Sequence, residues 1–142
     1  MSFNDVHRAR QLFFQSLYQM HMTDAAMIIK LTEAFNADNS DKKYDADYLD
    51  ALTSNYDAYK DQVEQILTKI MRETPLSKVS PVELCVCRLG VYELLLKSDI
   101  SHKVIISEAL KIQKKFGVED GYRLVNGVLD TASKSIRSDD AL

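Results

Sequence analysis

The chain has 142 residues, 46% hydrophobic and 27% charged, with 18 Lys+Arg against 21 Asp+Glu. One domain of that size buries roughly 70% of its unfolded surface, and the apolar content excludes a disordered chain. Four Gly and two Pro are too few punctuators for a many-turned β-sandwich or barrel, so the expected class is all-α. The net charge of −3 argues, at the level of the whole chain, against nucleic acid as a partner.

The elements follow from helical periodicity. Val6, Ala9, Phe13, Leu17 and Met20 recur at steps of three and four, which predicts an amphipathic helix over 4–21. Thr23 and Asp24 are candidate caps for a second helix near 25–36, with Ile28, Leu31 and Phe35 inward. A polar loop follows from Ala37 to Tyr44. Asp45 then caps a long helix carrying Leu49, Leu52, Tyr56, Tyr59, Val63, Ile66, Leu67 and Ile70, which Pro75 terminates. Ser80-Pro81-Val82-Glu83 offers an N-cap serine, a proline at the first helical position and a capping-box glutamate. The helix it opens holds Val82, Cys85, Val86, Leu89, Tyr92, Leu95 and Leu96, a broad apolar face expected at the centre of the core. Ser101 opens a further helix through Val104, Ile105, Ala109, Ile112 and Phe116, with Gly117 as a left-handed C-cap. A last helix is predicted from about Asp120 to Ile136, running through Asn126-Gly127 because the flanking apolar residues keep their period. The expectation is six to seven helices with short connections.

Enzymatic constellations are mostly absent. Cys85 and Cys87 stand about 200° apart on a helix and cannot pair; both read as small buried hydrophobes of a reducing, cytoplasmic protein. The N-terminus has no apolar stretch of signal-peptide length, and no run has the length of a membrane span, so a soluble protein is expected. His7, His21 and His102 are scattered, the glycines never form a phosphate-binding loop, and the acidic stretch Asp38–Asp50 lacks the spacing of a calcium loop. No metal, cofactor or catalytic residue is expected.

Charge is distributed unevenly. Glu33 to Glu64 holds nine acids against three lysines, a local −6, which leaves the rest of the chain at +3. His7, Arg8 and Arg10 open the first helix; Lys103, Lys111, Lys114, Lys115 and Arg123 mark the second basic region. With Tyr18 and Phe116 as candidate stacking surfaces, these residue types suit single-stranded nucleic acid, whose phosphates supply affinity and whose bases stack. A solvated lysine face and core aromatics account for the same residues, and both readings stay open on composition alone. Arg8 and Arg10 point about 200° apart on a helix and do not share one phosphate.

Four segments in the second half decide further: Arg88-Leu89-Gly90-Val91-Tyr92-Glu93-Leu94, Lys103-Val104-Ile105-Ile106-Ser107-Glu108-Ala109, Lys114-Lys115-Phe116-Gly117-Val118-Glu119-Asp120 and Val125-Asn126-Gly127-Val128-Leu129-Asp130. In order and spacing they resemble the NusB family, as do Arg8-Ala9-Arg10 and Gln15-Ser16-Leu17-Tyr18 near the start. The resemblance implies two packed three-helix bundles, about 1–73 and 74–138, in a single RNA-binding domain. It implies a transcription antitermination factor and no enzyme. Such a factor binds boxA single-stranded RNA together with NusE, a small-subunit ribosomal protein, and joins other Nus factors on elongating RNA polymerase, notably in ribosomal RNA synthesis.

Carried over by position, His7, Arg8, Arg10, Gln15 and Tyr18 fall in the first RNA-binding segment, and Phe116, Asp120, Arg123 and Leu124 in the second. Tyr18 and Glu83 fall where the family meets its partner. Where the family has an aromatic, this chain has Leu124, with Tyr122 as a candidate substitute. Homodimers occur in the family and are possible here. Two alternatives stand beside this reading. One is a helical protein-interaction module without RNA. The other is a stand-alone relative of the RNA-binding domain of ribosomal RNA cytosine methyltransferases, whose glycine-rich cofactor loop the 142 residues lack.

Overall fold

The computed structural model describes residues 2–23 and 43–138. These residues contain five α-helices, one short 3-10 turn and no strand: α1 (Phe3–Thr23), α2 (Ala46–Ile70), the 3-10 turn Leu76–Lys78, α3 (Pro81–Leu96), α4 (His102–Phe116) and α5 (Gly121–Ile136). The all-α expectation holds, with five helices rather than six or seven among the described residues. The second predicted helix, 25–36, lies outside them. Thr23, a candidate cap for it, ends α1 instead, its hydroxyl donating to the Gln19 carbonyl at 2.6 Å.

The chain divides into two compact units, Met1–Asp57 and Ala58–Leu142, and α2 begins in the first and ends in the second. In the first unit, Ser2 caps α1 by accepting from the Asp5 N–H at 3.2 Å, and Asp45 caps α2 by accepting from the Tyr48 N–H at 3.0 Å. Ala9, Leu12, Phe13, Phe14 and Leu17 of α1 are buried, as are Leu49, Leu52 and Tyr56 of α2. Phe13 meets Tyr56 edge to face, with ring centroids 5.6 Å apart, a geometry that suits the aromatic quadrupoles.

In the second unit, α3, α4 and α5 pack against one another. Helix α3 is buried on nearly every side, which explains why its sequence is apolar all round. Gly90 lets α5 come close: a Cβ there would stand 2.5 Å from a methyl carbon of Leu129. The C-terminal end of α3 and the loop after it are held by Arg137. Its Nε donates to the Leu94 carbonyl at 3.0 Å, one terminal nitrogen to Lys97 at 2.5 Å and the other to Ile100. Arg137 thus places a cation at the end of α3, where the helix dipole is negative, and ties the loop after it to the helix.

Two local expectations are corrected. Ser80 is the N-cap of α3 and Pro81 its first residue, but no capping box forms. Glu83 turns inward instead, 5% exposed, against Gly121 of α5. Gly117 ends α4 in extended backbone (φ −103°, ψ −179°), not in the left-handed region. Its missing side chain matters for space: a Cβ would overlap the Gln113 amide, whose Nε2 donates to the Val118 carbonyl at 3.3 Å. Ser101, by contrast, caps α4 as predicted, accepting from the Lys103 N–H at 3.2 Å.

Candidate nucleic-acid interface

In the first unit the predicted residues split between two faces of α1. Arg8, Gln15 and Tyr18 are half-buried and share one stripe at i, i+7 and i+10, spanning roughly 15 Å. Tyr18 leans on Phe14, with ring centroids 6.4 Å apart, and Gln15 Oε1 is buried with no hydrogen-bond partner among the described residues. Partial burial lowers the Arg8 guanidinium from its ordinary value, although arginine stays charged at neutral pH. His7 is half-buried on the adjoining turn.

Arg10 is elsewhere. It is 1% exposed, donates to the Tyr48 hydroxyl at 3.1 Å, and holds its guanidinium carbon 5.1 Å from the centre of the same ring. The expectation of a phosphate contact there does not fit this placement. Arg10 ties α1 to the start of α2, because a buried guanidinium needs polar partners and the Tyr48 ring adds a cation–π contact.

In the second unit α5 separates two grooves by its helical period. Tyr122, Asn126 and Asp130, four residues apart, face α4; Arg123, Leu124, Gly127 and Thr131 face the segment from Ile70 to Glu83. The latter groove, about 770 Å³, mixes basic Arg72, Lys78 and Arg123 with acidic Glu73 and Glu83 and an apolar floor including Met71, Val79 and Val128. Leu124 stands at its edge, 42% exposed, a large apolar side chain open to solvent.

A third groove of about 990 Å³ lies at the α4–α5 turn, lined by Lys114, Gly117, Val118, Asp120, Tyr122 and Arg123 among others. Arg123 belongs to both this groove and the preceding one. The structure gathers Glu83, Asp120, Arg123 and Leu124 around two adjoining grooves. Phe116 lines neither; it is half-buried, with the Lys115 ammonium 5.6 Å from its ring centre.

Residues outside the predicted set complete the turn groove. The Lys114 ammonium lies 5.3 Å from the centre of the Tyr122 ring, placing a cation and an aromatic at one spot. The two residues stand on different helices, Lys114 on α4 and Tyr122 on α5, so only the chain reversal between them brings the pair together. Beneath, Gln113 is fully buried, and a Cβ on Gly121 would collide with Glu83 Oε1 and with Gln113 Nε2. Glu83 Oε2 and Gln113 Oε1 are buried with no hydrogen-bond partner among the described residues.

This arrangement can bind but not catalyse by thiol chemistry. Burial pushes the Cys85 thiol up to about 11, against the pull of nearby Arg88, and the Cys87 thiol up to about 12. Both stay protonated at neutral pH and are poor nucleophiles. Among the described residues no group of three or more His, Cys, Asp or Glu is placed to hold a metal, and no helix is long and apolar enough to cross a membrane.

Comparison with known proteins places this scaffold. The model of the NusB family matches residues 7–134. The transcription antitermination protein NusB of Marinobacter nauticus is 35% identical over 94% of this chain and 83% of its own length. That of Teredinibacter turnerae is 34% identical over 92% of this chain and 88% of its own. Among solved structures, NusB of T. maritima superposes with a TM-score of 0.82 at 25% identity, covering 94% of each chain. A chain in the crystal structure of a plectonemic RNA supercoil shares the fold, with a TM-score of 0.83 at 23% identity. The matched motifs, the all-helical architecture and the extent of these likenesses agree: the chain belongs to the NusB family, a family of transcription antitermination factors and not of enzymes.

Proposed function

We propose that this cytoplasmic protein binds boxA-type single-stranded RNA together with NusE and acts with other Nus factors on elongating RNA polymerase, notably during ribosomal RNA synthesis. The observation that carries the reading is the turn groove of about 990 Å³, where the Lys114 ammonium stands 5.3 Å from the Tyr122 ring centre and Arg123 shares a lining that also carries Glu119 and Asp120. Cations paired with a stacking surface are what a single strand requires. Tyr122 takes the stacking role that the aliphatic Leu124 does not supply. Arg8, Gln15 and Tyr18, along one face of α1, with His7 beside them, form the other RNA-binding stripe. NusE docks on the more apolar groove, where exposed Leu124 offers hydrophobic area and Glu83 a buried acceptor oxygen in search of a donor.

The net charge of −3 leaves the protein a weak RNA binder by itself. Titration of a boxA-like RNA at several salt concentrations, with and without NusE, tests the reading. Three or four phosphate contacts on a single strand predict a log–log salt slope of about −2 to −3, and NusE should tighten binding. Absence of any NusE effect, or of any salt dependence, sinks the proposal.

A further inference from the structure

The groove on the other side of Tyr122 has no role in the reading above. It runs between α4 and α5, encloses about 520 Å³, and carries Lys103, Lys111 and Lys114 along its α4 wall. Those lysines stand at i, i+8 and i+11, so they share one face of α4 over roughly 16 Å, a length that meets several successive phosphates of a strand. The opposite wall is Tyr122, Asn126 and Asp130.

Asp130 is the acid among the lining residues, and it is already paired with Lys134 at 3.1 Å. Lys111 also faces Glu108, at 3.6 Å, but that carboxylate is buried while the lysine is exposed. The electrostatic balance of the open surface is therefore positive. Lys114 and Tyr122 line this groove and the turn groove alike, so the two form one continuous track.

We infer that the α4–α5 groove is a second segment of the nucleic-acid path. It holds the phosphates of nucleotides that flank the recognition element, with Lys103 and Lys111 as contacts. Contact here is with backbone phosphate, so it adds affinity and salt dependence without sequence preference. The inference rests on the proposed RNA reading, because it extends the strand bound at Lys114, Tyr122 and Arg123.

The test compares two RNAs on the full chain with NusE present: a boxA-like core, and the same core extended by several unstructured nucleotides at either end. The extended RNA should bind with a salt slope steeper by about 1.4 than the core, worth roughly seven-fold between 50 and 200 mM salt. The double substitution K103Q/K111Q should abolish that difference and leave core binding unchanged. Asp130→Asn should act in the opposite direction, tightening the extended RNA alone. Equal slopes for the two RNAs, or variants that change core and extension alike, overturn the inference while the RNA reading stands. Failure of the core itself to bind overturns both. Displacement of the extension by an acidic polypeptide of equal charge, as readily as by RNA, overturns the assignment to nucleic acid.

Discussion

Arg10 and the two cysteines show how burial sets what a side chain can do. A guanidinium 1% exposed and hydrogen-bonded to Tyr48 is part of the core's polar wiring. Arg10→Met should lower stability by about 1.5–3 kcal/mol in denaturant melts and leave the RNA salt slope unchanged. A slope reduced by about 0.7 with stability intact would return Arg10 to the phosphate-binding set. For the thiols, folded-state values of about 11 and 12 lie above the ordinary 9.0, so the folded state keeps protons that the unfolded chain releases. Their contribution is fully present below pH 9 and is lost as pH rises toward 11–12, at most about 1.4 kcal/mol per pH unit for each thiol. Alkaline melts of the wild type should therefore fall more steeply over that range than those of C85A/C87A. Parallel curves would contradict the burial argument. The sequence showed both cysteines as core residues from their place on an apolar helix. It did not show Arg10 as buried, because an arginine two residues from Arg8 in an amphipathic helix gives no sign of an aromatic partner 38 positions away.

At the scale of elements, glycines and caps divide according to what stands opposite them. Gly121→Ala gains helix propensity but drives a methyl into Glu83 and Gln113, both buried, and overpacking of this kind costs about 1–3 kcal/mol. Gly127 is exposed in the same helix, with nothing within 4 Å of the place a methyl would take, so Gly127→Ala should stabilise by roughly 0.5–1 kcal/mol. Thermal melts of the two variants should move in opposite directions; a shared direction would refute the assignment of Gly121 to close packing. Arg137→Ala removes donors from three carbonyls at and beyond the end of α3 and should cost about 3–5 kcal/mol, read as an earlier urea midpoint. Helix starts were legible where one residue acts alone: Asp45 and Ser101 cap as their types demand. The pattern Ser80 to Glu83 misled, because the capping box competes with a buried site against Gly121 that sequence spacing does not reveal. Arg137, near the end of the described chain, had no signal at all, since its partners are carbonyls about forty residues earlier.

For the molecule as a whole, charge placement outweighs charge total. The acidic stretch Glu33–Glu64 accounts for more than the entire deficit, and Lys103, Lys111, Lys114 and Arg123 line grooves within the second unit. Arg123→Gln, at a residue that lines two grooves, should weaken all RNA sequences about equally and reduce the salt slope by about 0.7. A loss confined to one base position would instead mark Arg123 as a base reader. By itself the sequence determined the all-helical class, the span of most helices and the family, because apolar period, proline position and motif order are local properties of the chain. Tertiary structure alone decided which basic residues meet an aromatic across the turn, which face grooves and which are buried. Lys114 reaches Tyr122, and Arg10 reaches Tyr48, only when separate helices are brought together. No local pattern encodes a contact whose two halves lie on different helices.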